Sequence, residues 1–185
     1  SRKHQKHTHG AENWELSLTE DHQGQIRSLD QRDLAFSQVN RFVNELLIQE
    51  VLDWSAERPF ETFWDLYCGA GNFTFPLFEK YPKCMGLGAE MSASAVEEAQ
   101  LRSSQKNISP KRLEFMRADV GHLLKRLAPP DRSLVLLDPP RAGLDENVVK
   151  ALAHSKASTL LYISCNPMSL ARDLSRFHQA APDRW

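Results

Sequence analysis

Cysteine is scarce in this 185-residue sequence: there are three, at Cys68, Cys84 and Cys165. An odd number at wide spacing argues against a disulfide framework and against a zinc or iron–sulfur cluster site. The chain also lacks an apolar run near the ~18 residues of a membrane span, and no charged-then-apolar signal segment opens it. We therefore expect a protein of the reducing cytoplasm with no metal cluster and no membrane contact.

Net charge is almost absent as well. The formal charge of −1 at pH 7 neither favours nor excludes a polyanionic partner, because such binding needs a local basic surface rather than an overall excess. The 41% of apolar and 25% of charged residues are typical of a globular domain. A chain of this size buries roughly 70% of the surface that its unfolded form exposes, so it needs no covalent cross-links.

Three segments differ in composition. Residues 1–10 hold three His and three Lys or Arg without apolar periodicity; we expect a mobile tail, although the histidines could instead ligate a metal. Residues 11–35 alternate weakly around residues 21–24 and predict a hairpin, the remnant of a preceding region. Residues 36–185 form the third and largest segment.

Short apolar runs alternate with helical stretches in this third segment. The runs show no polar alternation, so they predict strands buried on both faces, at residues 62–67, 84–89, 113–116, 134–137 and 159–163. Amphipathic periodicity predicts helices near residues 38–54, 73–81, 92–105, 120–127, 145–154 and 169–178. This order predicts an α/β fold, a doubly wound parallel sheet with helices on both faces, whose ligands bind beyond the carboxyl ends of the strands.

Two glycines follow the first predicted strand. Gly69 and Gly71 allow a tight turn and the close approach of a ligand to the backbone. Thr74 stands where a third glycine would favour a dinucleotide, and no P-loop ending is present, so the loop suits a ligand without a pyrophosphate. Glu90 ends the second strand about 20 residues later, where a carboxylate can accept both hydroxyls of a ribose. Together they indicate nucleoside binding, whereas the glycine turn alone could be a plain tight connection.

Carboxylates also follow the third and fourth strands. Asp119 could hold the exocyclic amine of an adenine or cap the next helix, and its spacing leaves both roles open. Asp138 precedes Pro139 and Pro140, which stiffen the backbone around its carboxylate. Such stiffness suits the positioning of a reacting group; the alternative is a plain proline turn.

The three cysteines differ in their surroundings. Cys68 and Cys84 lie in or beside apolar strands and are expected to be small core residues. Cys165 follows the last strand and precedes a helix that starts with a proline. A helix N-terminus favours the thiolate, so Cys165 is a candidate nucleophile, with core packing as the alternative.

In four blocks the sequence resembles the S-adenosylmethionine-dependent RNA uridine C5-methyltransferases, which form 5-methyluridine in transfer and ribosomal RNA. The blocks are Phe36-Ser37-Gln38-Val39-Asn40, Asp65 through Phe73, Asp138-Pro139-Pro140-Arg141, and Ser164-Cys165-Asn166-Pro167 followed by Leu170-Ala171-Arg172-Asp173. The last two in this order are specific, whereas many methyltransferases share the glycine loop. The resemblance implies a Rossmann-like class I methyltransferase sheet, S-adenosyl-L-methionine as the cofactor, and tRNA or rRNA as the partner.

Carried over by position, the resemblance implies functional residues as well. It implies Cys165 as the catalytic nucleophile and Asp138 as a residue that orients both ligands. A thiolate that adds to C6 of uracil gives C5 the carbanion character needed to accept a methyl group. The base must first be turned out of the RNA stack. The residues implied to contact the methyl donor, with the two loop glycines, are Gln38, Tyr67, Gly69, Gly71, Asn72, Glu90, Asp119 and Asp138.

The sequence departs from the family after the nucleophile. In relatives a glutamate a few dozen residues further on removes the C5 proton, whereas this chain ends at Trp185. We therefore expect a C-terminally incomplete, monomeric catalytic domain that binds the donor without turning over alone; Asp173 and Asp183 are poor substitutes for the base.

Two alternatives stay open. One is a donor-binding or RNA-binding module without catalysis, and the other is a methyltransferase for another substrate with an inert Cys165.

A basic group between the second sheet helix and the third strand could contact RNA phosphates or form a solvated surface. Its members are Arg102, Lys106, Lys111, Arg112 and Arg117.

Overall fold

The computed structural model describes residues 5–8, 13–16 and 41–184, in two compact units that divide after Arg41. In the first unit β1 (Gln5–Thr8) pairs antiparallel with β2 (Asn13–Leu16). The turn predicted at residues 21–24 and the donor contact predicted for Gln38 lie outside the described residues. The division of residues 1–35 into a tail and a hairpin stays a prediction.

Five parallel strands form the sheet of the second unit. They are β3 (Thr62–Leu66), β4 (Met85–Glu90), β5 (Leu113–Arg117), β6 (Ser133–Leu137) and β7 (Thr159–Tyr162). Their order is β5-β4-β3-β6-β7, so the chain builds outwards from β3 on one side and then returns to build β6 and β7 on the other. The predicted doubly wound α/β sheet is confirmed, and each predicted strand is present within about one residue of its bounds.

Helices connect these strands. They are α1 (Arg41–Ser55), α2 (Thr74–Lys80), α3 (Ala93–Gln105), α4 (Val120–Leu124), α5 (Glu146–Ala153) and α6 (Pro167–Ala180). Side-chain oxygens cap the starts of four of them, because each accepts a hydrogen bond from a backbone N–H of the first turn that has no partner within the helix. The capping residues are Ser92, Asp119, Asp145 and Asn166.

The core divides into two clusters, one on each face of the sheet, because successive side chains of a strand point to opposite faces. On one face Trp64, Leu66 and Leu137 contact the cluster formed with α4, α5 and α6. On the other face Phe63 and Leu136 belong to a cluster with α1, α2 and α3. Both faces of the sheet are therefore covered, which explains why the strands are apolar throughout.

The central position of β3 and β6 follows from their sequences. Every residue of β6 is buried, and burial of each leucine side chain contributes about 1.5–3 kcal/mol. The order of strands reverses between β3 and β6, and in such sheets the crevice beyond the carboxyl ends at this switch point is the usual ligand site. None of the described helices combines the length and the apolar character that crossing a bilayer requires.

Candidate active site

Backbone hydrogen bonds continue past the strand ends and align the residues that follow them. Tyr67 N–H donates to a carbonyl at the end of β4, Asp138 N–H to the end of β3 and Ile163 N–H to the end of β6, at 2.8, 3.4 and 2.8 Å. The segments after β3, β6 and β7 therefore start side by side at one edge of the sheet. This places the glycine loop, Asp138 and the Cys165 segment on the edge where the sequence predicted a site.

The glycine loop has the backbone conformation that its sequence predicted. Gly69 and Gly71 have φ of 53° and 88°, in the left-handed region that favours glycine. A Cβ on Gly69 would meet no atom within 4 Å, whereas one on Gly71 would lie 2.7 Å from the Phe75 ring. Gly69 thus leaves an open approach to the backbone for a ligand, while Gly71 permits close packing inside the loop.

Glu90 fastens this loop to the end of β4. Its Oε2 accepts from Gly69 N–H at 3.2 Å and its Oε1 accepts from Ser92 N–H at 2.8 Å. The side chain is half-buried. The structure therefore brings together Glu90 and the glycine loop, the two features whose spacing predicted a nucleoside site.

Tyr67 and Asn72 flank the loop. Tyr67 is a non-glycine residue with φ of 70°. Burial raises the pKa of its phenol to about 12, and nearby carboxylates such as Asp119 make smaller contributions. Asn72 exchanges two hydrogen bonds of 2.9 Å with Asn44 of α1. Sequence reasoning did not find Asn44, because it lies on a helix with no sequence link to the loop.

Asp119 has the capping role that its position allowed. Its Oδ1 accepts from His122 N–H at 2.8 Å at the start of α4. This settles the cap, and a contact between Asp119 and a methyl donor stays a prediction.

Asp138 is half-buried, and this burial raises the pKa of its carboxyl to about 6. Among residues 41–184, no hydrogen bond to its side chain is found. The Asp138 N–H donates to the end of β3, and the next residue, Pro139, is buried. The carboxylate is therefore anchored through its backbone and available to a ligand.

Asp65 belongs to this region but was not predicted as a site residue. It is fully buried in β3, where its Oδ2 accepts from Thr74 Oγ1 at 2.5 Å and its Oδ1 has no partner among the described residues. Burial, and to a lesser extent the charges of Asp138 and Glu90, raise the pKa of Asp65 to about 7. The one available signal was an acidic residue inside an apolar strand just before the glycines.

The three cysteines separate as predicted. Cys68 and Cys84 are buried and Cys165 is exposed, so the core roles of the first two are confirmed. Burial, the largest cause in each case, raises the pKa of both buried thiols, which keeps them protonated.

Cys165 stands directly before the N-cap of α6. Asn166 accepts from Met168 N–H at 3.1 Å, and its amide donates to Arg141 O at 3.2 Å across the edge of the sheet. Ser164 Oγ closes a local turn by accepting from Asn166 N–H at 3.1 Å. Cys165 thus directly precedes the N-cap of a 14-residue helix, in a segment that Asn166 ties to the loop that Asp138 begins.

Asp173 and three members of the basic group have partners within the fold. Asp173 has no exposed surface and is hydrogen-bonded by several donors, so it is not available as a base. Within the basic group, Lys106 pairs with Glu79 at 2.7 Å, Arg102 lies over the Phe75 ring at 4.4 Å, and Arg112 donates to the Pro82 carbonyl. These three side chains stabilise the fold, which weakens the case for phosphate contacts.

In residues 41–184 and the two short strands before them, no group of three or more His, Cys, Asp or Glu residues is arranged to hold a metal ion. The polar groups gathered at the sheet edge are backbone N–H donors, carboxylate acceptors and a thiol. They suit an organic ligand with hydroxyl and amine groups.

Comparison with known sequences decides the family. The sequence model of the tRNA (Uracil-5-)-methyltransferase family matches residues 11–181. The chain belongs to the tRNA (uracil-5-)-methyltransferase family. The resemblance seen in the four sequence blocks is thereby confirmed.

Curated relatives of this chain are named as RNA methyltransferases. It is 44% identical over 144 residues to an uncharacterized RNA methyltransferase of Bdellovibrio bacteriovorus, covering 78% of this chain and 35% of the relative. It is 40% identical over 140 residues to the 23S rRNA (uracil(1939)-C(5))-methyltransferase RlmD of Pseudomonas fluorescens, covering 75% and 30%. The chain thus spans about a third of the length of the curated relatives it matches.

Solved structures confirm the Rossmann-like methyltransferase fold. The methyltransferase domain of bacterial CtHen1 matches with a TM-score of 0.61 at 16% identity, over 76% of this chain and 86% of that one. Magnesium protoporphyrin IX methyltransferase from Synechocystis, solved with bound SAM, matches with a TM-score of 0.52 at 18% identity, over 75% and 73%. The individual roles predicted for the site residues stay predictions.

Proposed function

We propose that this chain transfers a methyl group from S-adenosyl-L-methionine to C5 of a uridine in tRNA or rRNA, with Cys165 as the nucleophile. One observation carries the proposal: the exposed cysteine lies on the same sheet edge as the open glycine loop and the available carboxylate of Asp138. The family supplies the reaction class, and this geometry supports the assignment of residues to it.

The residues fit the donor. Gly69 offers an open backbone approach, and the Glu90 carboxylate beside it suits two ribose hydroxyls. Asp138 follows β6, the strand next to β3 on the side away from β4. Its side chain has no hydrogen-bond partner among the described residues, and its negative charge favours a sulfonium. S-adenosyl-L-methionine, when bound, supplies an electrophilic methyl group.

Strand spacing supports the same orientation. Neighbouring strands are about 4.8 Å apart, so β4 and β7, three intervals apart in the sheet, are separated by roughly 14 Å. In S-adenosyl-L-methionine the sulfonium sulfur is bonded directly to C5′ of the ribose, so a ribose at Glu90 keeps the methyl group within about one to two strand intervals, on the side of Asp138. The remaining distance to Cys165 leaves room for the uracil ring.

The protein's own contribution to the reaction is the thiolate. The Cys165 sulfur forms a bond to C6 of uracil, and the electron pair of the C5–C6 double bond moves to C5 and its neighbouring carbonyl. C5 then accepts the methyl group, a base takes the C5 proton, and the electron pair of the C5–H bond restores the double bond as the sulfur leaves. Cys165 lies directly before the N-terminus of α6, the end of a helix that favours negatively charged groups.

The base that takes the C5 proton is not assigned to a described residue. Asp173 follows the nucleophile on α6 but is buried and fully engaged. A test of the cysteine should therefore avoid the proton-removal step. An RNA in which fluorine replaces hydrogen at C5 does so, because the covalent adduct forms and persists without a base.

The decisive experiment incubates the chain and S-adenosyl-L-methionine with tRNA and 23S rRNA transcripts that contain 5-fluorouridine. We expect a protein–RNA species that survives denaturing electrophoresis, and Cys165→Ser should abolish it. Cys84→Ser is the matched control, since that thiol is buried and away from the sheet edge. Donor binding without any adduct would instead support a binding module or a different methyl acceptor.

A further inference from the structure

The carboxylate of Asp173 is buried at the centre of a hydrogen-bond cluster next to the proposed active site. It has no exposed surface, yet it lies on α6, a helix whose other side faces solvent. Oδ2 accepts from Leu144 N–H at 2.7 Å and from the Tyr162 hydroxyl at 2.8 Å. Oδ1 accepts from Arg172 Nε at 2.9 Å and lies 3.4 Å from Arg176 Nη1.

These partners come from three separate segments. Tyr162 is the last residue of β7, just before the Cys165 segment, and Leu144 ends the loop that Asp138 begins. The two arginines, which neutralise the buried charge, belong to α6. Burial of the phenol, and then its bond to the Asp173 carboxylate, raise the pKa of Tyr162, so it remains a hydrogen-bond donor at physiological pH.

The Asp138 loop is tied to α6 at further points. Arg172 Nη2 donates to Ala142 O at 2.7 Å, and the Asn166 amide reaches Arg141 O at 3.2 Å. Gly143 has φ of 81°, and a Cβ there would collide with the Asp173 carboxylate and lie 3.0 Å from Ser169 Cβ. The loop backbone therefore lies directly against the carboxylate, at a position that requires glycine.

We propose that Asp173 is a positioning residue that holds the Cys165 segment, residues 163–166, and the Asp138 loop, residues 138–144, in a fixed relative position. The thiolate and the donor-orienting carboxylate then lie against the same base. The inference rests on the proposed function. A buried carboxylate with two neutral and two cationic donors is a rigid junction, because loss of any partner leaves a buried polar group unsatisfied. Rigid placement matters here, since a misplacement of about 1 Å can lower a rate roughly a hundredfold.

The test compares Asp173→Asn and Tyr162→Phe in the full chain. The amide keeps the size of the side chain but removes its charge, and the phenylalanine removes one donor. Glu98→Gln is the matched control, because it changes an exposed carboxylate on α3, a helix that packs on the opposite face of the sheet from α6. All rates are measured at a temperature where circular dichroism shows each variant to be folded.

Three measurements separate positioning from general loss of structure. The rate of adduct formation with 5-fluorouridine RNA, at saturating RNA and donor, should fall at least about tenfold in Asp173→Asn and about threefold in Tyr162→Phe. Alkylation of exposed Cys165 by iodoacetamide and calorimetric donor affinity should stay within about twofold of wild type. A general loss of structure would instead change the adduct rate, the alkylation of Cys165 and the donor affinity together.

The outcomes are distinct. Wild-type adduct rates in both variants would overturn the positioning role and leave the proposed function standing. A wild-type chain that forms no adduct would overturn the proposed function and this inference with it. Should Asp173→Asn fail to fold, Tyr162→Phe carries the test alone, and an unchanged rate in that variant overturns the inference.

Discussion

The buried carboxyl of Asp65 makes the stability of this domain depend on pH. In the folded chain its pKa is raised from 3.8 to about 7, chiefly by burial. Well below pH 3.8, the folded and unfolded chains both hold the proton. As the pH rises towards 7, the unfolded chain releases the proton while the folded chain keeps it, so the free energy of unfolding falls.

The size of this effect follows from the pKa. Each unit corresponds to roughly 1.4 kcal/mol, so a pKa raised from 3.8 to about 7 predicts a loss of about 4 kcal/mol of stability between pH 4 and 8. Above the folded pKa the loss is complete and stability from this group is constant. Asp65→Asn removes the titration and retains an oxygen for the Thr74 hydroxyl.

Urea unfolding, followed by the fluorescence of buried Trp64 in the same strand, measures the effect across this pH range. The unfolding free energy of wild type minus that of Asp65→Asn should decrease by about 4 kcal/mol as the pH rises. Asp53→Asn, which removes an exposed carboxyl on α1, is the matched control. A wild-type minus Asp65→Asn curve that is flat, or that rises with pH, would refute the reasoning.

Two further predictions concern the donor site. Glu90→Ala should weaken S-adenosyl-L-methionine binding at least about tenfold, since hydrogen bonds to a charged group contribute about 1.5–3 kcal/mol. Circular dichroism should show the fold intact, and an unchanged calorimetric affinity would contradict the ribose assignment. Gly71→Ala should destabilise the domain by roughly 1–3 kcal/mol in urea unfolding through its positive φ and its collision with Phe75. Gly69→Ala shares the cost of a positive φ but its Cβ meets no atom within 4 Å, so it should destabilise the domain less than Gly71→Ala and should lower donor affinity. If both glycine variants lose stability equally and bind the donor equally, the two glycines do not have the separate roles assigned to them.

Asp173 shows where sequence reasoning is weakest. In the sequence it is an acidic residue eight positions after Cys165, the candidate nucleophile, and only a poor candidate for the base. Its burial and its partners from β7 and the Asp138 loop exclude that role. None of these contacts has a regular spacing along the chain, so no periodicity argument could find them. The partners of Arg112 and Lys106 likewise lie on other elements, so the sequence did not show that these basic side chains have partners within the fold.

The sequence by itself determined the α/β class, the five strands, the sheet edge that gathers the candidate site residues and the burial of Cys68 and Cys84, because these depend on local periodicity, turn chemistry and chain order. The tertiary structure alone decided which polar groups meet between elements: Asn44 with Asn72, Asp65 with Thr74, and Asp173 with its donors. The packing of helices and loops against the strands sets those distances, and it brings together residues whose separation along the chain carries no signal. Local patterns therefore specify where a site lies, while long-range packing specifies how its side chains are held.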